Sequence, residues 1–118
     1  MPRPPRRPRL VEYHSEAVVE FWKRTEPERK GILTIVDMLR QNGMKLAPPH
    51  MKPLKNEKMR ELRPSNRKLL IRPLYFQYNE RTFKIVTIAP ESMVDPSGFD
   101  AAVERAKKRA KRDYGMDI

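Results

Sequence analysis

Residues 69–89 read LLIRPLYFQYNERTFKIVTIA. Two runs rich in aliphatic and aromatic residues, Leu69–Tyr78 and Thr82–Ala89, flank Asn79-Glu80-Arg81, and Pro90 closes the second. A connection this short joins neighbouring antiparallel strands. Pro73 removes a ladder donor from the first run, so a bulge is expected there. Upstream, Met59–Arg63 reads as another short strand, ended by the turn residues Pro64-Ser65-Asn66. The simplest topology is a meander.

Helices frame these strands. Leu10–His14 alternates apolar and polar residues like a strand, and Ser15 is placed as an N-cap with Glu16 in the first turn. Ala17, Val18, Phe21 and Trp22 follow as an apolar stripe, read as core. Thr25-x-x-Glu28 has the form of a capping box, opening a second helix to about Asn42 with Ile32, Ile35, Val36 and Leu39 inward. Gly43 stands where a C-cap belongs. After Asp95-Pro96-Ser97, a last helix runs to Tyr114 and Gly115. Its inward face is Ala102, Val103, Ala106 and Ala110. Its outward face is a row of Arg105, Lys107, Lys108, Arg109, Lys111 and Arg112. The order predicts an α+β fold, two-layered, with two N-terminal helices and a C-terminal helix on one face of a mainly antiparallel sheet. Residues 1–9, MPRPPRRPR, read as an extended Pro/Arg arm, and 10–118 as a single domain.

The chain has 118 residues, a formal net charge of +11 and no cysteine. A disulfide framework, a thiolate metal site and a cysteine nucleophile are therefore excluded. His14 and His50 share no ligand spacing with a carboxylate, and the four isolated glycines make no phosphate loop. The longest apolar run, Ile32–Val36, is far too short to span a membrane, which leads to the expectation of a soluble cytoplasmic protein. Such a surplus of positive charge suits a polyanionic partner.

The charge concentrates in residues 52–72, where Lys52, Lys55, Lys58, Arg60, Arg63, Arg67, Lys68 and Arg72 face only Glu57 and Glu61. If 59–63 is a strand, Glu61 and Arg63 share one face, and Arg72 on the paired strand joins them. Two guanidiniums can clamp a phosphate bidentately while a carboxylate takes a proton from a 2′-hydroxyl. The same pattern also describes a cross-strand salt bridge between Glu61 and one of these arginines.

Three stretches resemble the HigB-type toxins of the RelE/ParE superfamily: Met51-Lys52-Pro53-Leu54, Met59-Arg60-Glu61-Leu62-Arg63-Pro64 and Ile71-Arg72-Pro73-Leu74-Tyr75. The closing helix, Asp100–Ala106, is similar to that family's last helix. The resemblance implies a RelE-like fold and a toxin that cleaves mRNA in the ribosomal A site without a metal or other cofactor. It also implies a cognate antitoxin, commonly a helix-turn-helix protein. Arg63 and Arg72 match basic residues of the family's RNA cleft, with Glu61 or His50 as candidate base. Lys52, Lys55, Arg60, Arg67 and Lys68 are carried over as holding RNA backbone.

Three departures stand beside the resemblance. Where the family has a basic run after the last strand, this chain has Ala89-Pro90-Glu91-Ser92-Met93-Val94-Asp95. Phe99 stands nearest to the place of a late tyrosine, and Pro73 replaces an ordinary strand residue. They leave Lys68 or His50 to supply the missing group. They also keep two other readings open, a non-catalytic RNA- or ribosome-binding module and a ParE-like gyrase inhibitor.

Overall fold

In the computed structural model, which describes residues 9–55, 58–66 and 68–118, the chain forms five strands and three helices in this order. Strand β1 spans Leu10–Tyr13, helix α1 Ser15–Trp22 and helix α2 Glu26–Asn42, with a 3-10 turn at Gly43–Lys45. Strands β2 (Met51–Pro53), β3 (Arg60–Leu62), β4 (Ile71–Gln77) and β5 (Thr82–Pro90) follow, then helix α3 (Pro96–Tyr114). The sheet order is β1-β5-β4-β3-β2. The last three strands are the expected antiparallel meander, β2 extends it at the β3 edge, and β1 lies parallel to β5.

The architecture is α+β, three helices on a mainly antiparallel sheet, but the helices divide between the two faces instead of sharing one. Phe21, Ile32, Ile35, Val36 and Leu39 from α1 and α2 pack with Leu62, Ile71, Tyr75, Phe83 and Ile85. On the other face, Phe99, Ala102, Ala106 and Ala110 of α3 pack with Met59, Leu74, Phe76, Val86 and Ala89. The reason is already in β4 and β5: nearly every residue of both strands is buried, and a central strand apolar on both faces needs cover on both.

The bulge sits beside Pro73. The β4–β5 register passes from Leu74↔Thr87 to Tyr75↔Ile85, so Val86 on β5 is the extra residue. Pro73 lies opposite Ile88, whose N–H is turned away to the Glu20 carboxylate at 3.2 Å. No donor is therefore asked of the proline by β5.

Local signals set most helix ends. Thr25 and Glu28 form both hydrogen bonds of the capping box, and Asp95 accepts from the Gly98 N–H at 3.0 Å to start α3. Helix α1 is capped by His14, whose Nδ1 accepts from the Glu16 N–H at 3.1 Å, and Ser15 becomes its first residue. The Ser15 N-cap is thus corrected to His14, and two burial assignments are corrected as well. Trp22 and Val18 are not core: they are 66% and 38% exposed, because two turns of α1 bury only the Ala17–Phe21 line. Arg109 belongs to the buried side of α3, not to its outward cationic row. Residues 1–8 of the Pro/Arg arm lie outside the described residues. Arg9, its last member, donates from its backbone N–H and from Nη1 to carbonyls at the end of α2.

Candidate active-site cleft

Strand β3 leaves the sheet at Leu62, and the chain turns back at Pro64-Ser65 to enter β4. Pro49, His50, Arg63, Pro64, Ser65 and Arg72 line an open cleft of about 420 Å³ at that turn. Backbone pairing fixes its walls: the Arg63 N–H donates to the His50 carbonyl at 2.9 Å, tying the entry to β2 against the end of β3.

Arg72 is the rigid member. Its Nη1 donates to the carbonyls of Leu69 and Ile71 at 3.0 and 2.9 Å, and its Nε–H has no partner among the described residues. Burial and the neighbouring Arg63 charge lower its pKa, while Glu61 and Glu91 act in the opposite sense. Glu61 is 5% exposed and lies 3.6 Å from Arg63 Nε. Burial raises its carboxyl above the usual range, with Arg63, Arg72 and Lys52 pulling against that shift. A carboxylate that holds its proton more tightly than usual, next to two guanidiniums, combines a proton acceptor with an anion clamp.

Of the residues singled out from sequence, His50, Arg63 and Arg72 line the cleft, and Glu61 sits against Arg63. Lys52 faces Glu61 across the β2–β3 pair and is exposed, so it stands at the rim. Lys55 and Lys68 are exposed on the flanking turns. Arg67 lies outside the described residues. Arg60 does not join the group: one residue before Glu61 on the strand, it turns to the opposite side, where its Nη1 meets Met44 Sδ at 3.4 Å.

Sequence reasoning missed Glu91. The residue is 8% exposed, and its carboxylate accepts from the Met93 and Val94 N–H groups at 2.9 and 3.1 Å. Its charge bears on both Glu61 and Arg72. The signal was its position immediately after β5, opposite the start of β4, where only pairing the strands brings it near Arg72. Among the described residues, no three His, Asp or Glu side chains gather to hold a metal ion, and no helix is long and apolar enough to cross a membrane.

Residues 20–89, more than half of the chain, match the family described as Phage derived protein Gp49-like (DUF891). No curated protein matches the chain by sequence. Among solved structures, a chain of the archaeal RelE–RelB complex from Pyrococcus horikoshii OT3 is similar, with a TM-score of 0.55 at 15% identity. The match covers 70% of this chain and 93% of that one. At that identity the likeness speaks for the fold, and it is the fold that the meander, the parallel β1 and the three helices had already described. The chain thus belongs to the Gp49-like family and carries the RelE-type fold.

Proposed function

We propose that this protein is the toxin of a type II toxin–antitoxin pair, a HigB-like ribosome-dependent mRNA endonuclease acting in the cytoplasm. The observation that carries the reading is the meeting of Arg63, Arg72 and Glu61 at one open cleft, from two strands and the turn between them.

In this reading the message enters the cleft with its scissile phosphate on Arg63 and Arg72. Glu61 takes the proton of the 2′-hydroxyl, the 2′-oxygen bonds to phosphorus, and the bond to the 5′-oxygen breaks. His50, which lines the cleft and is the alternative base to Glu61, in this reading returns a proton to that leaving oxygen. The arginines hold the negative charge that gathers on the phosphoryl oxygens. Lys52, Lys55 and Lys68 bear on RNA backbone around the rim, and no metal or cofactor is required by these steps. The neutralising partner is a cognate antitoxin, in keeping with the RelE–RelB complex named above, and a helix-turn-helix protein is the form expected.

The deciding experiment is cleavage of a defined message on programmed ribosomes, mapped by primer extension beside ribosome-free RNA. A new stop at the A-site codon, seen only with ribosomes and lost in Arg63→Ala/Arg72→Ala, supports the assignment. One observation favours a second reading. The acidic Glu91–Asp95 loop stands where related toxins carry bases, and a non-catalytic ribosome-binding module would bind with steep salt dependence and leave the message intact.

A further inference from the structure

Strand β3 pairs with only two residues of β4, Leu74 and Tyr75. Past that point, among the described residues, no strand pairs with Phe76 and Gln77 on the β3 side of β4, and a second cavity opens there. It holds about 260 Å³ and is lined by Met44, Lys58, Arg60, Tyr75, Phe76, Gln77, Met116 and Ile118. It shares no residue with the cleft of Arg63 and Arg72.

Its chemistry is of two kinds. The walls are thioethers and buried rings: Met44 is 45% exposed at the mouth, Met116 is half-buried, and Tyr75 and Phe76 form the floor at 1% exposure each. The polar side chains are cationic or neutral. Neither Lys58 nor Arg60 has a carboxylate within ion-pair distance among the described residues, and no acidic side chain lines the cavity. The buried Tyr75 hydroxyl lies against the Arg60 guanidinium, and the Gln77 amide offers both a donor and an acceptor.

Two uncompensated cations beside an apolar slot recognise an anion joined to a flat apolar body. The slot is smaller than the roughly 300 Å³ at which drug-sized pockets begin, so it takes one ring and not a base pair. Polarizable methionines pack well on a ring face, and a glutamine amide can read a base edge. A net charge of +11 makes nucleic acid the natural source of such an anion. We propose that this cavity is a second nucleotide-binding site, taking a single unstacked base between Met44 and Met116 with its phosphate on Arg60 and Lys58.

The inference stands apart from any cleavage chemistry. Its test is methyl NMR of the methionine-labelled full chain, titrated with adenosine 5′-monophosphate, adenosine and inorganic phosphate. The nucleotide is expected to shift the Met44 and Met116 methyl signals, with each fragment binding at least tenfold more weakly. Arg60→Ala should weaken nucleotide binding tenfold or more, and Met44→Gln, at the exposed mouth, severalfold. The Arg63→Ala/Arg72→Ala variant should bind at these methyls as the parent does. The site is refuted if Met44 and Met116 stay unmoved, if phosphate alone binds as tightly as the nucleotide, or if binding follows Arg63 and Arg72. Should Arg60→Ala unfold the chain, the Met44→Gln result decides.

Discussion

Arg109 and Glu20, 89 residues apart, meet in a two-pronged pair, Nη1 on Oε1 and Nη2 on Oε2, both at 2.9 Å. The same Arg109 Nη1 donates to the carbonyl of the bulged Val86 at 2.8 Å, and the same Glu20 oxygen accepts the Ile88 N–H at 3.2 Å. Beyond β1, no strand among the described residues lies beside the outer edge of β5, and the bulge sets its backbone groups out of register. A side-chain ion pair from α1 and α3 therefore does there what a neighbouring strand does elsewhere.

Removing Arg109 leaves the Glu20 carboxylate and the Val86 carbonyl without their shared donor. Arg109→Met should destabilise the domain by about 2–4 kcal/mol, and Glu20→Gln by about 1–2 kcal/mol. Urea denaturation checks this, with a lower midpoint and an unchanged slope. An unchanged midpoint in both variants would show that the pair contributes nothing beyond its own desolvation.

Gly43 ends α2 at φ 58° and ψ −132°, a conformation that only glycine adopts without strain. A Cβ there would also lie 2.2 Å from Arg9 Nε. Gly43→Ala should cost about 1–3 kcal/mol. Gly115 is also left-handed, at φ 64°, but meets nothing within 4 Å, so Gly115→Asn should be almost neutral. Thermal unfolding of the two variants side by side separates conformation from crowding.

Two carboxylates respond to pH with opposite sign. Burial raises the Glu61 pKa above 4.5, so the folded state keeps a proton that the unfolded chain releases. Its contribution to stability declines as pH rises from 4.5 through the folded value. Glu61→Gln should therefore be more stable than the parent at pH 7, with the difference closing towards pH 4. Hydrogen bonds from Arg112 and His14 hold Asp113 well below its usual 3.8, so its contribution is present above that value and fades as pH falls. Asp113→Asn should lose stability at neutral pH and show a shallower acid limb. Stability against pH for the parent and both variants tests the two signs together.

In the cleft, Arg72 spends one nitrogen, Nη1, on two carbonyls, and the rest of its planar guanidinium is left for an anion. A lysine held by the same carbonyls has no second nitrogen to offer. Arg72→Lys is therefore expected to fail as a replacement. On the proposed function, message cleavage on ribosomes should fall by about 10²–10³ in Arg72→Lys as in Arg72→Ala. Retained cleavage in the lysine variant would show that charge alone suffices.

The strand runs, the capping box at Thr25 and Glu28, and the grouping of Glu61, Arg63 and Arg72 were all legible in the sequence. Each rests on spacing along one strand, one turn or one hairpin, where a period of two or a three-residue offset already fixes neighbours. The same alternation sets Arg60 opposite to Glu61 and Arg63, and the structure places it away from the cleft, beside Met44. The Arg67 assignment falls on a residue outside the described ones.

The chain alone therefore determined its elements, its surplus of positive charge and the residues that crowd the end of β3. Only the tertiary structure decided that α3 takes the opposite face from α1 and α2, that Trp22 is exposed, and that Arg109 is spent on Glu20 and the Val86 carbonyl. Glu91 near Arg72, and the cavity around Arg60, arise in the same way. These features depend on which distant segments meet. Local periodicity says that a surface is apolar or charged, and only packing settles what covers it.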